Sequence, residues 1–151
     1  MSIELVKKTL LEYIQTSTDM EETLQKICNL LEEQIPHYHW VGFYFADSDQ
    51  RTLHLGPYKG LPTDHKVIPF GKGICGQVAE SNQTFLVRDV NEQDNYISCN
   101  IDVKSEIVVP IFSQGKNIGQ IDIDSNIRNA FDEKDQELLE WLTSEIGKMY
   151  S

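Results

Sequence analysis

Apolar residues recur every three to four positions near both ends of the chain, which predicts amphipathic helices. The first helix is expected over residues 3–14 and the second over residues 20–34. Asp19 stands where a side chain can accept hydrogen bonds from the exposed N–H groups of the second helix. A long helix is expected over residues 133–150, with Asp132 as its N-cap.

Between these helices the pattern changes to alternation and to runs of β-branched and aromatic residues, which predicts strands. The predicted strands are HWVGFYFA (39–46), RTLHLG (51–56), HKVIPF (65–70), TFLVRDV (84–90), SEIVVPIF (105–112) and NIGQIDIDS (117–125). Two segments are predicted as loops, PYKGLPTD (57–64) and the polar NEQDNYISCNIDV (91–103). GKGICGQVAES (71–81) is expected to turn and then form a short helix. The whole chain, 1–151, is therefore predicted as one α+β domain with a central antiparallel sheet.

Charge and cysteine content narrow the function classes. The formal net charge is −11, from 24 acidic and 13 basic residues, which argues against binding to nucleic acid or to an anionic membrane surface. The amphipathic N-terminal segment does not resemble a signal peptide, so we expect a cytoplasmic protein. Three cysteines cannot form a closed disulfide framework, so each is expected to be either an inert core residue or a reactive thiol.

Acidic residues alternate with isoleucines in the last predicted strand. Asp122 and Asp124 share one face of that strand with Gln120, and Glu106 on the partner strand has the same phase. The face is either solvated or the floor of an acidic pocket. In a pocket, crowded carboxyl groups cannot all ionise, so at least one pKa should rise and supply a proton donor near neutral pH.

The three cysteines differ in context. Cys28 lies on the apolar stripe of the second helix and is expected in the core. Cys75 begins the short helix, where a helix N-terminus lowers a thiol pKa, although a buried helix residue is an equal alternative. Cys99 lies in a loop, where functional residues concentrate. The histidines and cysteines lack the spacing of zinc ligands, so no structural zinc site is expected.

Six segments together resemble the free methionine-R-sulfoxide reductases, which are small stand-alone GAF-domain enzymes. The segments are HWVGFYF, LGPYKG, IPFGKGICG, TFLVRDV, SEIVVPI and IGQIDIDS, and the resemblance continues in the closing stretch FDEKDQELLEWL (131–142). The resemblance implies a GAF-like fold with helices on one face of the sheet and a loop-covered ligand pocket on the other. It implies Cys99 as the catalytic nucleophile and Cys75 as a second catalytic thiol. The residues implied to bind the substrate are Glu106, Asp122, Asp124, Trp40 and Tyr44.

The resemblance also implies a reaction. Free L-methionine (R)-S-oxide would be reduced to methionine through a cysteine sulfenic acid and a disulfide, with thioredoxin or another thiol as the external reductant, no bound cofactor, and a possible homodimer. One departure stands out: His65 occupies the position where the family usually has its resolving cysteine. The alternatives are therefore a catalytically impaired GAF module that binds a small ligand and a redox-sensing domain.

Overall fold

A computed structural model describes residues 1–92 and 102–150. It contains four α-helices and six strands. The helices are α1 (Ile3–Gln15), α2 (Met20–Gln34), α3 (Gly73–Ser81) and α4 (Glu133–Met149). The strands are β1 (Trp40–Asp47), β2 (Thr52–Lys59), β3 (Val67–Pro69), β4 (Phe85–Val87), β5 (Ser105–Ser113) and β6 (Lys116–Ser125). A short 3-10 helix follows β4 at Val90–Glu92.

The six strands form one antiparallel sheet in the order β3-β2-β1-β6-β5-β4. Helices α2 and α4 cover one face, where α2 packs on β1 and β2 and α4 packs on β5 and β6, and α1 packs on the same side against both helices. The fully buried Ile107, Ile121 and Ile123 project into this main core. The predicted α+β class and antiparallel sheet are therefore confirmed, and alternation sends the residues between these isoleucines to the opposite face.

The opposite face carries α3 and a second, smaller apolar cluster. The prediction of helices on one face holds for α1, α2 and α4, whereas α3 lies on the other face and contacts β2, β3, β5 and β6. This placement is what forms a pocket, because α3 stands above the sheet while the polar face of β5 and β6 lies beneath it.

The helix ends follow the capping predictions. Asp19 accepts a hydrogen bond from the backbone N–H of Glu22 at 3.1 Å, at the start of α2. Asp132 and Asp135 form a reciprocal capping box at the start of α4. Among the described residues no helix combines the length and the apolar character that crossing a bilayer demands.

Three strand predictions were wrong in their extent, and one of them, 65–70, is shortened to Val67–Pro69. Residues 57–59, predicted as loop, belong to β2, because a bulge between Gly42 and Tyr44 places Pro57 where the ladder does not need an N–H donor. The predicted strand 84–90 is shortened to Phe85–Val87. Asp89 ends it early, since its side chain accepts from the backbone N–H of Asn91 at 3.0 Å and turns the chain.

Candidate functional site

Three buried carboxyl groups lie together on the α3 side of β5 and β6. Glu106 pairs with Asp124 across the two strands, and Asp122 pairs with Val108 one pleat further along. All three residues are buried, with exposed fractions of 5% for Glu106, 5% for Asp122 and 2% for Asp124. The alternative of a solvated acidic face is therefore wrong, and the structure places these residues in a pocket floor.

The turn before α3 brings Cys75 to these acids. The backbone N–H of Gly71 donates to the carbonyl of Gly76 at 2.8 Å, and that of Gly76 donates to Lys72 at 2.9 Å. A Cβ at Gly76 would come within 2.6 Å of the carbonyl oxygen of Pro69, so only glycine lets the turn close this tightly. The Cys75 thiol then lies 3.9 Å from Glu106 Oε2, to which it donates a hydrogen bond.

These groups line a narrow cavity of about 20 Å³, which is room for about one water molecule. Its lining residues are Tyr44, His65, Ile68, Lys72, Gly73, Ile74, Cys75, Glu106, Asp122 and Asp124. A larger groove of about 380 Å³ lies between α4 and β5, but among the described residues that line it Glu140 is the single ionisable one. The smaller cavity is therefore the better candidate site, because it combines a thiol, carboxyl groups and apolar walls.

Burial and mutual repulsion set the protonation states of the pocket. Loss of solvent is the main cause that raises the pKa of Glu106 well above its usual value, and the charges of Asp122 and Asp124 raise it further. Burial also raises the pKa of Asp122, although hydrogen bonds from Glu106 and Cys75 oppose this increase. Both effects favour a carboxylic proton on Glu106 next to an anionic carboxylate, the pairing that proton donation to a ligand requires.

The same environment corrects the expectation for Cys75. Its position at the start of α3 predicted a lowered thiol pKa, yet its pKa is raised well above the usual value. Burial is the largest cause, followed by the charges of Asp122, Glu106 and Asp124. Of the two alternatives left open by the sequence, the buried helix residue is the one observed, because desolvation and nearby anions outweigh the partial positive charge of a helix N-terminus.

Two aromatic residues on β1 shape the pocket in different ways. Tyr44 lines the cavity, and its hydroxyl donates to the carbonyl of His65 at 2.9 Å. Trp40 is not among the described lining residues; it stacks on Tyr58 with ring centroids 5.4 Å apart, and its Nε1 donates to Leu61 at 2.9 Å. Both aromatics thus hold the strap, residues 60–65, beside the cavity, and a substrate contact by Trp40 stays a prediction.

Other chemistry-bearing residues are placed as follows. Cys28 is buried in the main core, where burial raises its thiol pKa far above the usual value, as expected of an inert residue. Cys99, the predicted nucleophile, lies outside the described residues, so its position stays a prediction. His65 and Lys72 line the cavity, which the sequence did not reveal, because they reach it from the strap and from the turn before α3.

Gln120 also lies on this face of β6, as alternation predicted, but the sequence assigned it no function. Its side chain is fully buried. Within the described part of the chain, neither polar atom of that side chain has a hydrogen-bond partner, and neither does Asp122 Oδ1. Such buried, unmet polar atoms cost stability of about 1–3 kcal/mol each. They mark the floor as incomplete without a polar or cationic ligand.

Replacing Glu106 with glutamine is expected to stabilise the folded protein at pH 7. The folded-state pKa of Glu106 lies above its unfolded value, so its contribution to stability is fully present at low pH and is lost as the pH rises toward the folded pKa. Denaturant unfolding should therefore give Glu106→Gln a larger free energy of unfolding than wild type at pH 7, and the difference should disappear below about pH 4.

Glu12→Gln, at an exposed position of α1, is the matched control and should change stability by less than about 0.5 kcal/mol at either pH. A Glu106→Gln protein that is less stable than wild type at pH 7 would show that the folded state favours the ionised carboxylate, contrary to this account.

Comparison with known proteins gives the family. The GAF domain family matches residues 17–149. The free methionine-R-sulfoxide reductase of Saccharomyces cerevisiae is 38% identical, over 96% of this chain and 85% of that protein.

The structure of the free methionine-R-sulfoxide reductase of Neisseria meningitidis in complex with its substrate superposes with a TM-score of 0.91 at 35% identity, covering 96% of this chain and 86% of that one. The reduced fRMsr of Staphylococcus aureus gives a TM-score of 0.90 at 38% identity, covering 98% and 94%. The chain that carries this buried acid and thiol pocket belongs to the GAF domain family and, within it, to the free methionine-R-sulfoxide reductases.

Proposed function

We propose that this protein reduces free L-methionine (R)-S-oxide to L-methionine in the pocket between α3 and the sheet. The observation that carries the proposal is the buried cluster of Glu106, Asp122 and Asp124 beside a thiol-bearing helix. The relatives named as reductases of the same free amino acid support the substrate.

The pocket suits a zwitterionic amino acid. An ionised carboxylate of the floor pairs with the substrate's ammonium group, and the raised pKa of Glu106 favours a second, protonated carboxyl group beside it. Lys72 and His65, the lining residues with nitrogen donors on their side chains, are suited to the substrate's carboxylate. A methionine sulfoxide within a polypeptide lacks the ammonium group, so this arrangement favours the free amino acid.

The chemistry begins at Cys99. Its thiolate attacks the sulfoxide sulfur, and a protonated floor acid donates its proton to the sulfoxide oxygen. The oxygen is transferred to the Cys99 sulfur and methionine leaves. The substrate is thereby reduced by two electrons, and Cys99 is oxidised to a sulfenic acid. No bound cofactor takes part in this step.

The sulfenic acid is then resolved by Cys75, because His65 occupies the position of the family's usual resolving cysteine. Attack by the Cys75 sulfur on the sulfenic acid forms the Cys75–Cys99 disulfide and releases water, which requires Cα atoms within about 7 Å. The high pKa of Cys75 makes its thiolate scarce at neutral pH and slows this step. Thioredoxin, the dithiol reductant expected in the cytoplasm, then reduces the disulfide by exchange.

Consumption of the two sulfoxide diastereomers tests the function directly. With dithiothreitol as reductant, the wild-type protein should consume free methionine (R)-S-oxide and leave the S form. Cys99→Ser should lower the rate by at least about a thousandfold, since serine cannot replace a sulfur nucleophile. Cys28→Ser is the matched control and should keep full activity, because Cys28 is buried in the opposite core. Full activity in Cys99→Ser would rule out this mechanism.

A Cys75→Ser variant tests the resolving step separately. It should still release one methionine per protein when no reductant is present, because the first step uses Cys99 alone. Turnover supported by thioredoxin should fall at least about tenfold, whereas a small thiol should restore it by attacking the sulfenic acid directly. Mass spectrometry of wild type after one turnover should show a Cys75–Cys99 disulfide. Unchanged turnover with thioredoxin in Cys75→Ser would assign resolution to another group.

Ligand binding without catalysis is the second candidate, and His65 is the observation that favours it, since a cysteine used for recycling is missing there. The diastereomer assay separates the two, because a protein that only binds the ligand depletes neither form. Retention of Cys75 and of the complete acid cluster favours the reductase.

A further inference from the structure

We propose that the pocket floor is also a binding site for one thiophilic divalent cation, with Zn²⁺ as its ligand. The site would be formed by Cys75 from α3, Glu106 from β5 and Asp122 from β6. One donor atom from each of these buried residues lies within 4.8 Å of the other two. Metal binding itself is independent of the proposed function, whereas its effect on the reductase reaction rests on that function.

The spacing of the donor atoms lies within reach of zinc coordination. A tetrahedral Zn²⁺ with a Zn–S bond of about 2.3 Å and Zn–O bonds of about 2.0–2.2 Å holds sulfur and oxygen about 3.6 Å apart. Cys75 Sγ and Glu106 Oε2 lie 3.9 Å apart in the metal-free pocket. A shift of a few tenths of an ångström would bring this pair to bonding geometry, and a pair at the 4.8 Å limit would have to close by about 1.2–1.4 Å.

A second observation, at Asp122, also points to a ligand in the pocket floor. Asp122 is 95% buried, and its Oδ1 atom has no hydrogen-bond partner within the described parts of the chain. A buried carboxylate oxygen without a donor is costly, and coordination of a cation removes that cost. The neighbouring Gln120 adds two further unmet polar atoms on the same face of β6.

The ligand types select the class of metal. One thiolate with two carboxylates favours Zn²⁺ over Mg²⁺ and Ca²⁺, which prefer sites made of oxygen alone. Three protein ligands also leave a fourth tetrahedral position for water. The ligand-spacing rule that excluded a structural zinc site from the sequence does not apply here, because it detects ligands within one segment and these three come from separate elements.

Zinc would act as a reversible inhibitor of the proposed reaction. It would occupy the carboxylates that pair with the substrate's ammonium group and would remove the floor proton that the sulfoxide oxygen requires. Binding of Zn²⁺ releases protons from Cys75 and from Glu106, so no oxidation or reduction accompanies it. Substrate and metal therefore exclude each other.

Cobalt(II) provides a direct test, because it takes the place of Zn²⁺ and reports thiolate coordination by a charge-transfer band in the near ultraviolet. The reduced wild-type protein, in a buffer with a phosphine reductant, is titrated with Co²⁺ alone. We expect the band to saturate at one Co²⁺ per chain and to be abolished by one equivalent of Zn²⁺, but to be unaffected by millimolar Mg²⁺. Absence of the band, or its loss on addition of Mg²⁺, would overturn the proposal.

Three single variants identify the thiol. Cys75→Ser should abolish the band, while Cys28→Ser and Cys99→Ser should keep it. Circular dichroism and denaturant unfolding check that each variant is folded, and Asp122→Asn, which keeps the thiol, should weaken the apparent affinity for Co²⁺ at least about tenfold. A band that persists in Cys75→Ser and disappears in Cys99→Ser would place the metal elsewhere and overturn the site.

Competition by free L-methionine separates this inference from the proposed function. If both hold, methionine should lower the apparent affinity for Co²⁺ in wild type. A Co²⁺ band that depends on Cys75 but is insensitive to methionine would support the metal site and contradict the assignment of the pocket to this substrate. A protein with full reductase activity but no Cys75-dependent Co²⁺ band would support the proposed function and contradict the metal site.

Discussion

The site depends on one constraint, the antiparallel register that places Glu106 opposite Asp124 across β5 and β6. The same two strands send Ile107, Ile121 and Ile123 into the main core on the other face. A slip of one residue would turn the isoleucines toward the pocket and the carboxyl groups into the apolar core. Formation of the main core therefore fixes the position of the acids, and the fold cannot acquire its hydrophobic stability without also assembling the site.

This register concentrates carboxyl groups where they disfavour folding. Buried acids with raised pKa values, a buried thiol among them and, within the described residues, polar atoms on β6 without hydrogen-bond partners each lower the stability of the folded protein. We infer that binding of a cation offsets this cost, either the ammonium group of the substrate or the metal ion proposed above. The site thus lowers the stability of the fold in order to bind its ligand, as is common for functional sites.

Alternation along the strands made the acid cluster predictable, since a period of two residues determines which side chains share a face. Asp19 and Asp132 likewise marked the helix starts, because capping is a local interaction. Features that depend on contacts between distant segments were less accessible. Pro57 suggested a loop because its tolerance in a bulge depends on β1, and the helix start at Cys75 suggested an activated thiol because the acids that raise its pKa belong to other strands. The contributions of His65 and Lys72 to the cavity wall depend in the same way on how the strap and turn pack.

The central claim is that the buried acids recognise the ammonium group of a free amino acid. The most direct measurement compares kcat/KM for free L-methionine (R)-S-oxide with kcat/KM for its N-acetyl derivative, which has no ammonium group. Leaving a buried charge without its partner costs about 3–5 kcal/mol, so we expect a kcat/KM at least about a hundredfold lower for the derivative. Equal values for the two compounds would contradict the account, because the acid cluster would then have no part in recognition.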